Sequence, residues 1–528
     1  MKKLLVLAMM ATLLMAGSAF AVNRHLSPAP NATFTFGAPG VAGGPTTTNN
    51  DDSCDIGVAP AATLLLPYFE VDITNRTQDT LFTITNVSRL PQIAHVTVWT
   101  DWSFPVLDFN IFLTGYDVQG ISMNQVLGGT VAQANGTGPT TAQSPLGTGT
   151  GGSSVAGYLA NPNFASSINC GNNPGPLNPA VVAAVRSALT TGVYNPGGGA
   201  ACPNAVGGVH ANAIGYVTVD VASNCSFQLP TETAYYTSSI LFDNVLIGDY
   251  QQLGPAPFGT TAASFDAGGN AMVHIRAIPE GGPAGIPLTG MQTNLPFTFY
   301  DRYTPNSNRT LDRRQPLPAL WAARYIQGGP GAFATNYKVW REGFGNGSCG
   351  ASLALNGSLP VTEVVRFDEH ENPTTSAPCP QSPCPQATPS TMPETSAQNT
   401  SSGNFPAQIG ADVGGWMYLN LNNGAPANSG YSVTRNVSGL PTRVDAATTP
   451  GLRPSQNWVI VEMFGSAAGG NRLTVDFDAA WLGNGCSAPV ASGATIAPAG
   501  GAPVCPPADT ACNPGVAPYT GTNTTPLP

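Results

Sequence analysis

Two neighbouring stretches, HVTVWTDW (residues 95–102) and VLDFNIFL (residues 106–113), alternate apolar and polar side chains and decide the fold class. In the first stretch Val96 and Val98 fall on one side of an extended chain. The opposite side holds His95, Thr97 and Trp99. In the second stretch Asp108 and Asn110 stand opposite Leu107, Phe109, Ile111 and Leu113. A period of two predicts strands with one face in a hydrophobic core and a hydrophilic face turned outward.

The same alternation recurs further along the chain. It appears in GYVTVDV (215–221), MVHIRAI (272–278), GWMYLNLN (415–422), NWVIVEMF (457–464) and RLTVDFDAAWL (472–482). The 61 glycines and 49 prolines make up about a fifth of the 528 residues, well above the usual ~12%, so long loops must join the strands. We therefore predict a mostly β protein, built as one or more antiparallel β-sandwiches with long loops.

One short helix is predicted within the loops. Asn178 supplies an N-cap, Pro179 suits the first helical position, and Gly192 can close the C-terminus. The apolar stripe of this helix is Val181, Val182, Val185 and Leu189. We expect it to lie inside a loop-rich insertion at about residues 128–208, because regular βαβ alternation is lacking around it.

Composition divides the chain into five segments. They are a signal peptide (1–21), a linker (22–52), a β-rich domain with the 128–208 insertion (53–285), a second β-rich half or domain with a Pro/Ser/Thr-rich loop at 376–403 (286–486), and a low-complexity tail (487–528). The linker, the loop and the tail offer too little apolar surface to offset the entropy cost of ordering them. One large sandwich and two smaller ones remain alternatives.

The first residues have the pattern of an export signal. Lys2 and Lys3 precede an apolar stretch at residues 4–15, and Ala-Phe-Ala at residues 19–21 fits a cleavage site. No later run approaches the ~20 apolar residues of a transmembrane helix, so we expect no membrane span after cleavage. The predicted destination is the periplasm, the cell surface or the medium.

Ten cysteines follow the predicted cleavage site. They are Cys54, Cys170, Cys202, Cys225, Cys349, Cys379, Cys384, Cys486, Cys505 and Cys512. An even number in an exported chain favours disulfides, and no CxxC pair or histidine pair favours zinc instead. We predict the bridges Cys379–Cys384, Cys505–Cys512 and Cys170–Cys202, and no metal site.

The charge balance restricts the partners. The formal net charge is −10 and only 9% of residues are charged. Since neutralising phosphates supplies most nucleic-acid affinity, nucleic acid is not an expected partner. No G-x-S-x-G elbow, Walker A motif, dinucleotide fingerprint or CxxCH motif occurs, so no cofactor is predicted. The partners we expect are a surface polysaccharide or other envelope proteins.

An unusual cluster of arginines and aromatic residues lies in FYDRYTPNSNRTLDRRQPLPALWAARY, residues 299–325. The candidate ligand-binding residues in it are Tyr300, Tyr303, Arg313, Arg314, Trp321 and Tyr325. In one interpretation, the aromatic rings form a stacking platform and the arginines bind an anionic or hydroxyl-rich ligand. In the other, Asp312 pairs with Arg313 or Arg314 and holds an irregular segment against a sheet. Pro305, Pro316 and Pro318 favour the structural interpretation because they rigidify a loop.

No catalytic constellation is evident. Asp368, Glu369, His370 and Glu371 form the densest acidic patch, which we interpret as a solvated turn after a strand at residues 361–367. Carboxylates on or beside predicted strands are Glu363, Asp368, Glu462, Asp476 and Asp478, and nothing singles out a catalytic pair among them. The leading functional hypothesis is a secreted bacterial envelope or cell-surface protein with a non-enzymatic structural or adhesive role. The alternatives are a carbohydrate-binding module and a secreted glycan-active hydrolase.

Overall fold

The computed structural model describes residues 59–129, 177–196, 201–254, 269–277, 298–300, 303, 312–318, 320–329, 333–343, 359–361, 363–370, 373–374, 391–399, 413–421, 431–435, 441–445, 456–466, 472–477 and 479–483. Within them the chain is mostly β, with several antiparallel sheets, which confirms the predicted fold class. Among these residues no helix is long and apolar enough to cross a bilayer.

The first nine strands form two sheets. They are β1 (Thr63–Val71), β2 (Asp79–Asn86), β3 (Gln92–Thr100), β4 (Pro105–Leu113), β5 (Val118–Ser122), β6 (Ala213–Ala222), β7 (Leu246–Leu253), β8 (Gly269–Ala271) and β9 (Val273–Ile275). The central sheet has the order β4-β3-β6-β1-β9, and the covering sheet has the order β5-β2-β7-β8. Val96 and Val217 of the central sheet share one hydrophobic cluster with Phe82 and Ile84 of the covering sheet, so the two sheets pack face to face.

The later strands form two further sheets and two strand pairs. They are β10 (Leu320–Ile326), β11 (Ala334–Arg341), β12 (Leu359–Pro360), β13 (Glu363–Asp368), β14 (Pro373–Thr374), β15 (Thr391–Met392), β16 (Thr395–Asn399), β17 (Gly414–Asn420), β18 (Tyr431–Arg435), β19 (Pro441–Asp445), β20 (Asn457–Ser466), β21 (Arg472–Phe477) and β22 (Ala479–Gly483). Their sheets have the orders β14-β13-β17-β10-β22 and β16-β11-β20-β21, and β12–β15 and β18–β19 pair separately. Tyr325 and Met417 of one sheet cluster with Val339 and Val461 of the other, which makes a second sandwich core.

The predicted helix is present as α2 (Pro179–Thr191), after a shorter helix α1 (Met123–Leu127). The Asn178 side chain accepts a hydrogen bond from the Ala180 amide at 2.9 Å and caps the N-terminus of α2. At the other end Gly192 has φ = 70°, the left-handed conformation that favours glycine. Sequence alone missed α1 and a π-helical turn at Tyr235–Ser239, because five residues carry too little periodicity to detect.

Part of the segment predicted to be a Pro/Ser/Thr-rich loop is a strand. Residues 391–399 form β15 and β16, and β16 pairs antiparallel with β11. Met392 is fully buried and Glu394 is nearly so. The β16 sequence TSAQN has no apolar alternation from which a strand could be predicted. The strand forms because its backbone pairs with β11.

The polar face of the central sheet is the main departure from the predicted pattern. Every residue of β3 is buried, including His95, Thr97 and Trp99 on the face that alternation predicted to be outward. Residues 298–300, 303 and 312–318 lie against this face together with Trp340 of β11. The expectation of a solvated polar face was therefore wrong for these strands, since a distant segment covers it.

Candidate functional site

The candidate site is the buried polar layer between the central sheet and residues 298–300, 303 and 312–318. Arg314 lies at its centre, and Nη2 of its guanidinium is 2.8 Å from Asp220 Oδ1 on β6. Nη1 is 2.9 Å from Asp312 Oδ1. The side chains of Arg314, Asp220 and Asp312 are fully buried, so one guanidinium lies between two carboxylates in the interior.

The Asp220 carboxylate collects further hydrogen bonds from three elements. Thr63 of β1 donates its hydroxyl to Oδ1. Tyr300 donates its hydroxyl to Oδ2 at 2.7 Å, and Tyr235 of the π-helical turn donates to the same oxygen. With Arg314, the Asp220 carboxylate therefore has four hydrogen-bond donors, two on each oxygen. A buried carboxylate needs such partners to offset the loss of hydration.

Burial and pairing shift the pKa values in this layer. Burial by itself lowers the pKa of the Arg314 guanidinium, but the charges of Asp220 and Asp312 outweigh it and the net pKa is raised. Burial, reinforced by Asp220, raises the pKa values of Tyr235 and Tyr300 well above their usual range. Both tyrosines are therefore neutral hydroxyl donors at physiological pH.

Arg313 faces a different environment from its neighbour. Its guanidinium carbon lies 3.9 Å from the centroid of the Phe242 ring, in a cation–π contact. Burial, followed by the charge of Arg314, lowers the pKa of Arg313, whereas Asp243 and Asp312 oppose that change. Sequence reasoning offered either arginine as the partner of Asp312, and the described ion pair is with Arg314.

The six candidate ligand-binding residues divide between two cores. Tyr300, Tyr303, Arg313 and Arg314 lie against the central sheet, where the Tyr303 ring stacks on Trp99 with centroids 5.2 Å apart. Trp321 and Tyr325 belong to β10 and the second sandwich core. The structure therefore does not bring the six together on one platform, and all six are buried.

The polar atoms of the Trp321 and Tyr325 side chains also form hydrogen bonds within the protein. The Trp321 indole donates to Asn457 Oδ1 at 2.5 Å, and the Tyr325 hydroxyl donates to the Phe367 carbonyl at 3.2 Å. A sugar could not use these atoms without displacing a protein partner.

Side chains are described for two of the candidate carboxylates, Asp368 and Glu462, and these belong to strands of different sheets. Glu462 is directly opposite Asp476 in the β20–β21 pairing, and Asp478 lies outside the described residues. Glu462 of β20 forms a buried ion pair with Lys338 of β11. Asp368 accepts a hydrogen bond from the His370 amide at 2.8 Å, in a turn where Glu369 and His370 are exposed. No group of three or more His, Cys, Asp or Glu side chains that could hold a metal occurs among the described residues.

The sequence did not predict two buried side chains, Arg341 and Asp101, whose hydrogen bonds join distant segments of the chain. Arg341 at the end of β11 donates to the carbonyls of Leu359, Met392 and Leu421, and so joins three separate segments. Asp101, after β3, accepts from His210 Nε2 at 2.8 Å and from the Gly208 amide at 2.9 Å. The sequence feature that could have indicated these roles is a single charged residue at the end of a strand, Arg341 in β11 and Asp101 after β3.

Of the six cysteines in the predicted bridges, only Cys202 lies among the described residues, and no partner was predicted for Cys225. Cys202 and Cys225 are each disulfide-bonded. Cys170, Cys379, Cys384, Cys505 and Cys512 lie outside the described residues. The three predicted pairings therefore stay predictions.

The fold and this layer define a β-sandwich protein with a solvent-excluded ion-pair network. No known protein family, curated protein or solved structure matches the chain.

Proposed function

We propose that this protein is an exported bacterial envelope or cell-surface component with a non-enzymatic structural or adhesive role. The observation that carries the proposal is the enclosure of Arg314 by Asp220 and Asp312, because these charges bind each other and not a ligand. Such a network stabilises one arrangement of the segment against the sheet.

The export signal and the oxidised cysteines support the exported location. A basic start, an apolar stretch and a small-residue site precede the described chain. Disulfides at Cys202 and Cys225 persist in an oxidising compartment. The adhesive part of the role is supported by the low charge, since 9% charged residues leaves a surface of Asn, Ser, Thr and Gly that is not strongly repelled by other surfaces.

Fractionation of the producing cells, followed by an activity panel on the mature protein, tests this proposal. We expect the protein in the periplasmic, surface or medium fraction and no turnover of glycan, peptide or ester substrates. Retention in the cytoplasm would refute the location. Turnover that is lost in a single carboxylate variant such as Glu462→Gln, with folding retained, would instead establish the hydrolase alternative.

The carbohydrate-binding alternative has its own test. Burial of its six proposed residues weighs against it. Specific glycan binding that is lost in a folded Trp321→Ala variant would establish it in place of the structural role.

A further inference from the structure

Three polar atoms form a separate cluster on the same face of the central sheet. They are His95 Nε2 and Thr97 Oγ1 on β3 and Asp108 Oδ2 on β4, and each is buried with no hydrogen-bond partner among the described residues. Thr97 is directly opposite Asp108 in the strand pair, and His95 is two residues along β3 on the same face. Side chains so placed lie within about 7 Å of one another.

The protonation of His95 follows from its neighbour. The Asn110 amide donates to the Ser226 carbonyl at 2.9 Å, which turns its Oδ1 toward the imidazole. Asn110 Oδ1 lies 3.0 Å from His95 Nδ1 and must accept a hydrogen bond from it. Asn110 therefore holds a proton on Nδ1, and in the neutral ring the lone pair lies on Nε2.

Of the three residues in the cluster, Asp108 lies nearest to solvent. The Tyr235 ring lies 5.6 Å from the His95 ring and forms one wall. His95 and Thr97 are fully buried, whereas Asp108 is half-buried on the edge strand β4. A small ligand would therefore enter past Asp108.

The cluster is also acidic. Burial raises the pKa of the Asp108 carboxyl to about 6 and the charge of Glu232 adds to the increase, whereas a positive charge on protonated His95 would oppose it. Because burial opposes ionisation, the charged Asp108 carboxylate lowers the stability of the protein near neutral pH. Residues of binding sites often lower stability in this way.

The three acceptor atoms fit some ligands better than others. A divalent metal would find one imidazole and one carboxylate, fewer strong ligands than a zinc site uses. A water molecule donates only two hydrogen bonds and brings no charge to Asp108. A primary ammonium group has three N–H donors and a positive charge, which matches three acceptors beside a carboxylate.

We propose that His95, Thr97 and Asp108 form a binding site for a primary ammonium group, such as that of an amino sugar, an amino acid or a polyamine. Nε2 of His95, the hydroxyl of Thr97 and the carboxylate of Asp108 each accept one N–H. This site goes beyond the proposed structural role and does not depend on it.

Titration with methylammonium chloride at pH 7.5, followed by the imidazole ¹⁵N signals of ¹⁵N-histidine-labelled protein, tests the site. We expect a saturable shift of the His95 Nε2 signal with a dissociation constant of about 1–10 mM, since a ligand of two non-hydrogen atoms binds weakly. Tetramethylammonium has the same charge but no N–H, and it should give no saturable shift. A response to both cations, or to neither, overturns the proposal. So does a saturable shift with micromolar Zn²⁺ that methylammonium does not compete with.

Two variants locate the effect. Asp108→Asn should weaken methylammonium binding at least tenfold, and Thr97→Val should weaken it about threefold. The matched controls are Asp249→Asn and Thr83→Val, because Thr83 and Asp249 are also directly opposite on neighbouring strands but bond to each other at an exposed position. Unchanged affinity in Asp108→Asn, or equal losses in the control variants, would place the binding elsewhere and refute the assignment.

Discussion

Arg314 Nη2 lies 2.8 Å from Asp220 Oδ1 across 94 residues of sequence, and both side chains are fully buried. This pair fixes the covering segment to the middle of the central sheet. The hydroxyls of Thr63, Tyr235 and Tyr300 also donate to Asp220, so removal of one member would leave buried polar atoms unpaired.

Removing the arginine should therefore be costly. Arg314→Ala leaves Asp220 and Asp312 charged and enclosed, and we expect a loss of about 3–5 kcal/mol in the free energy of unfolding. Urea denaturation followed by tryptophan fluorescence measures it. The matched control is Arg324→Ala, whose partner Glu369 is 2.8 Å away on the surface, and it should cost less than about 1 kcal/mol. Equal effects of the two variants would show that burial does not strengthen the Arg314 pair.

The His210–Asp101 pair predicts a pH dependence of stability. The hydrogen bond with Asp101 raises the pKa of His210 above its usual value, although burial opposes the increase. A raised folded-state pKa gives stability that is fully present below about pH 6.5 and is lost as pH rises through the folded-state pKa. His210→Gln should therefore cost more stability at pH 6 than at pH 8.5, by about 1 kcal/mol or less because the ring is partly exposed.

Thermal unfolding at several pH values measures this difference. Asp101→Asn should remove the same pH dependence, and the double variant should remove no more than either single one. A pH dependence that survives both substitutions would have to arise from other groups.

Asp108 should show the same direction of pH dependence for a different reason. Its pKa of about 6 in the folded state lies above the ordinary value of 3.8, so its contribution to stability falls as pH rises between about 4 and 6. Asp108→Asn should stabilise the protein at pH 7.5 by about 1–2 kcal/mol, a value reduced for partial exposure, and should have little effect at pH 3.5.

Denaturant unfolding at the two pH values provides the measurement. Asp249→Asn should not increase stability, because its carboxylate already accepts a hydrogen bond from Thr83. If Asp108→Asn lowered the free energy of unfolding at pH 7.5, the charged Asp108 carboxylate would not be destabilising and the prediction would be wrong.

The C-terminal end of α2 predicts a strict requirement for glycine. A Cβ at Gly192 would come within 2.1 Å of the Gly207 carbonyl oxygen, and φ at this position is +70°. Gly192→Ala should therefore destabilise the protein by about 1–3 kcal/mol. Gly120→Ala on β5 is the control, since a Cβ there meets nothing within 4 Å, and it should be nearly neutral in the same unfolding assay. A tolerated Gly192→Ala would mean that residues 192 and 207 separate easily.

The sequence was most informative where structure is local. Alternation at Val96 and Val98 predicted β3 and its core-facing side, and Asn178, Pro179 and Gly192 predicted α2 with its caps. It was uninformative for β16, where TSAQN offers no pattern and backbone pairing with β11 creates the strand. The candidate ligand residues were adjacent in sequence, but β10 carries Trp321 and Tyr325 into a different core from Tyr300 and Arg314.

The sequence by itself determined the antiparallel β class, the capped helix α2 and the side of each strand that would be apolar, because these follow from local cap residues and from periods of two and 3.6 along short segments. Only the tertiary structure decided that the polar side of β3 and β6 is also buried, that Arg314 pairs with Asp220, and that His95 Nε2, Thr97 Oγ1 and Asp108 Oδ2 are buried without hydrogen-bond partners among the described residues. Those outcomes depend on which distant segment covers a sheet, and a local period carries no information about that choice.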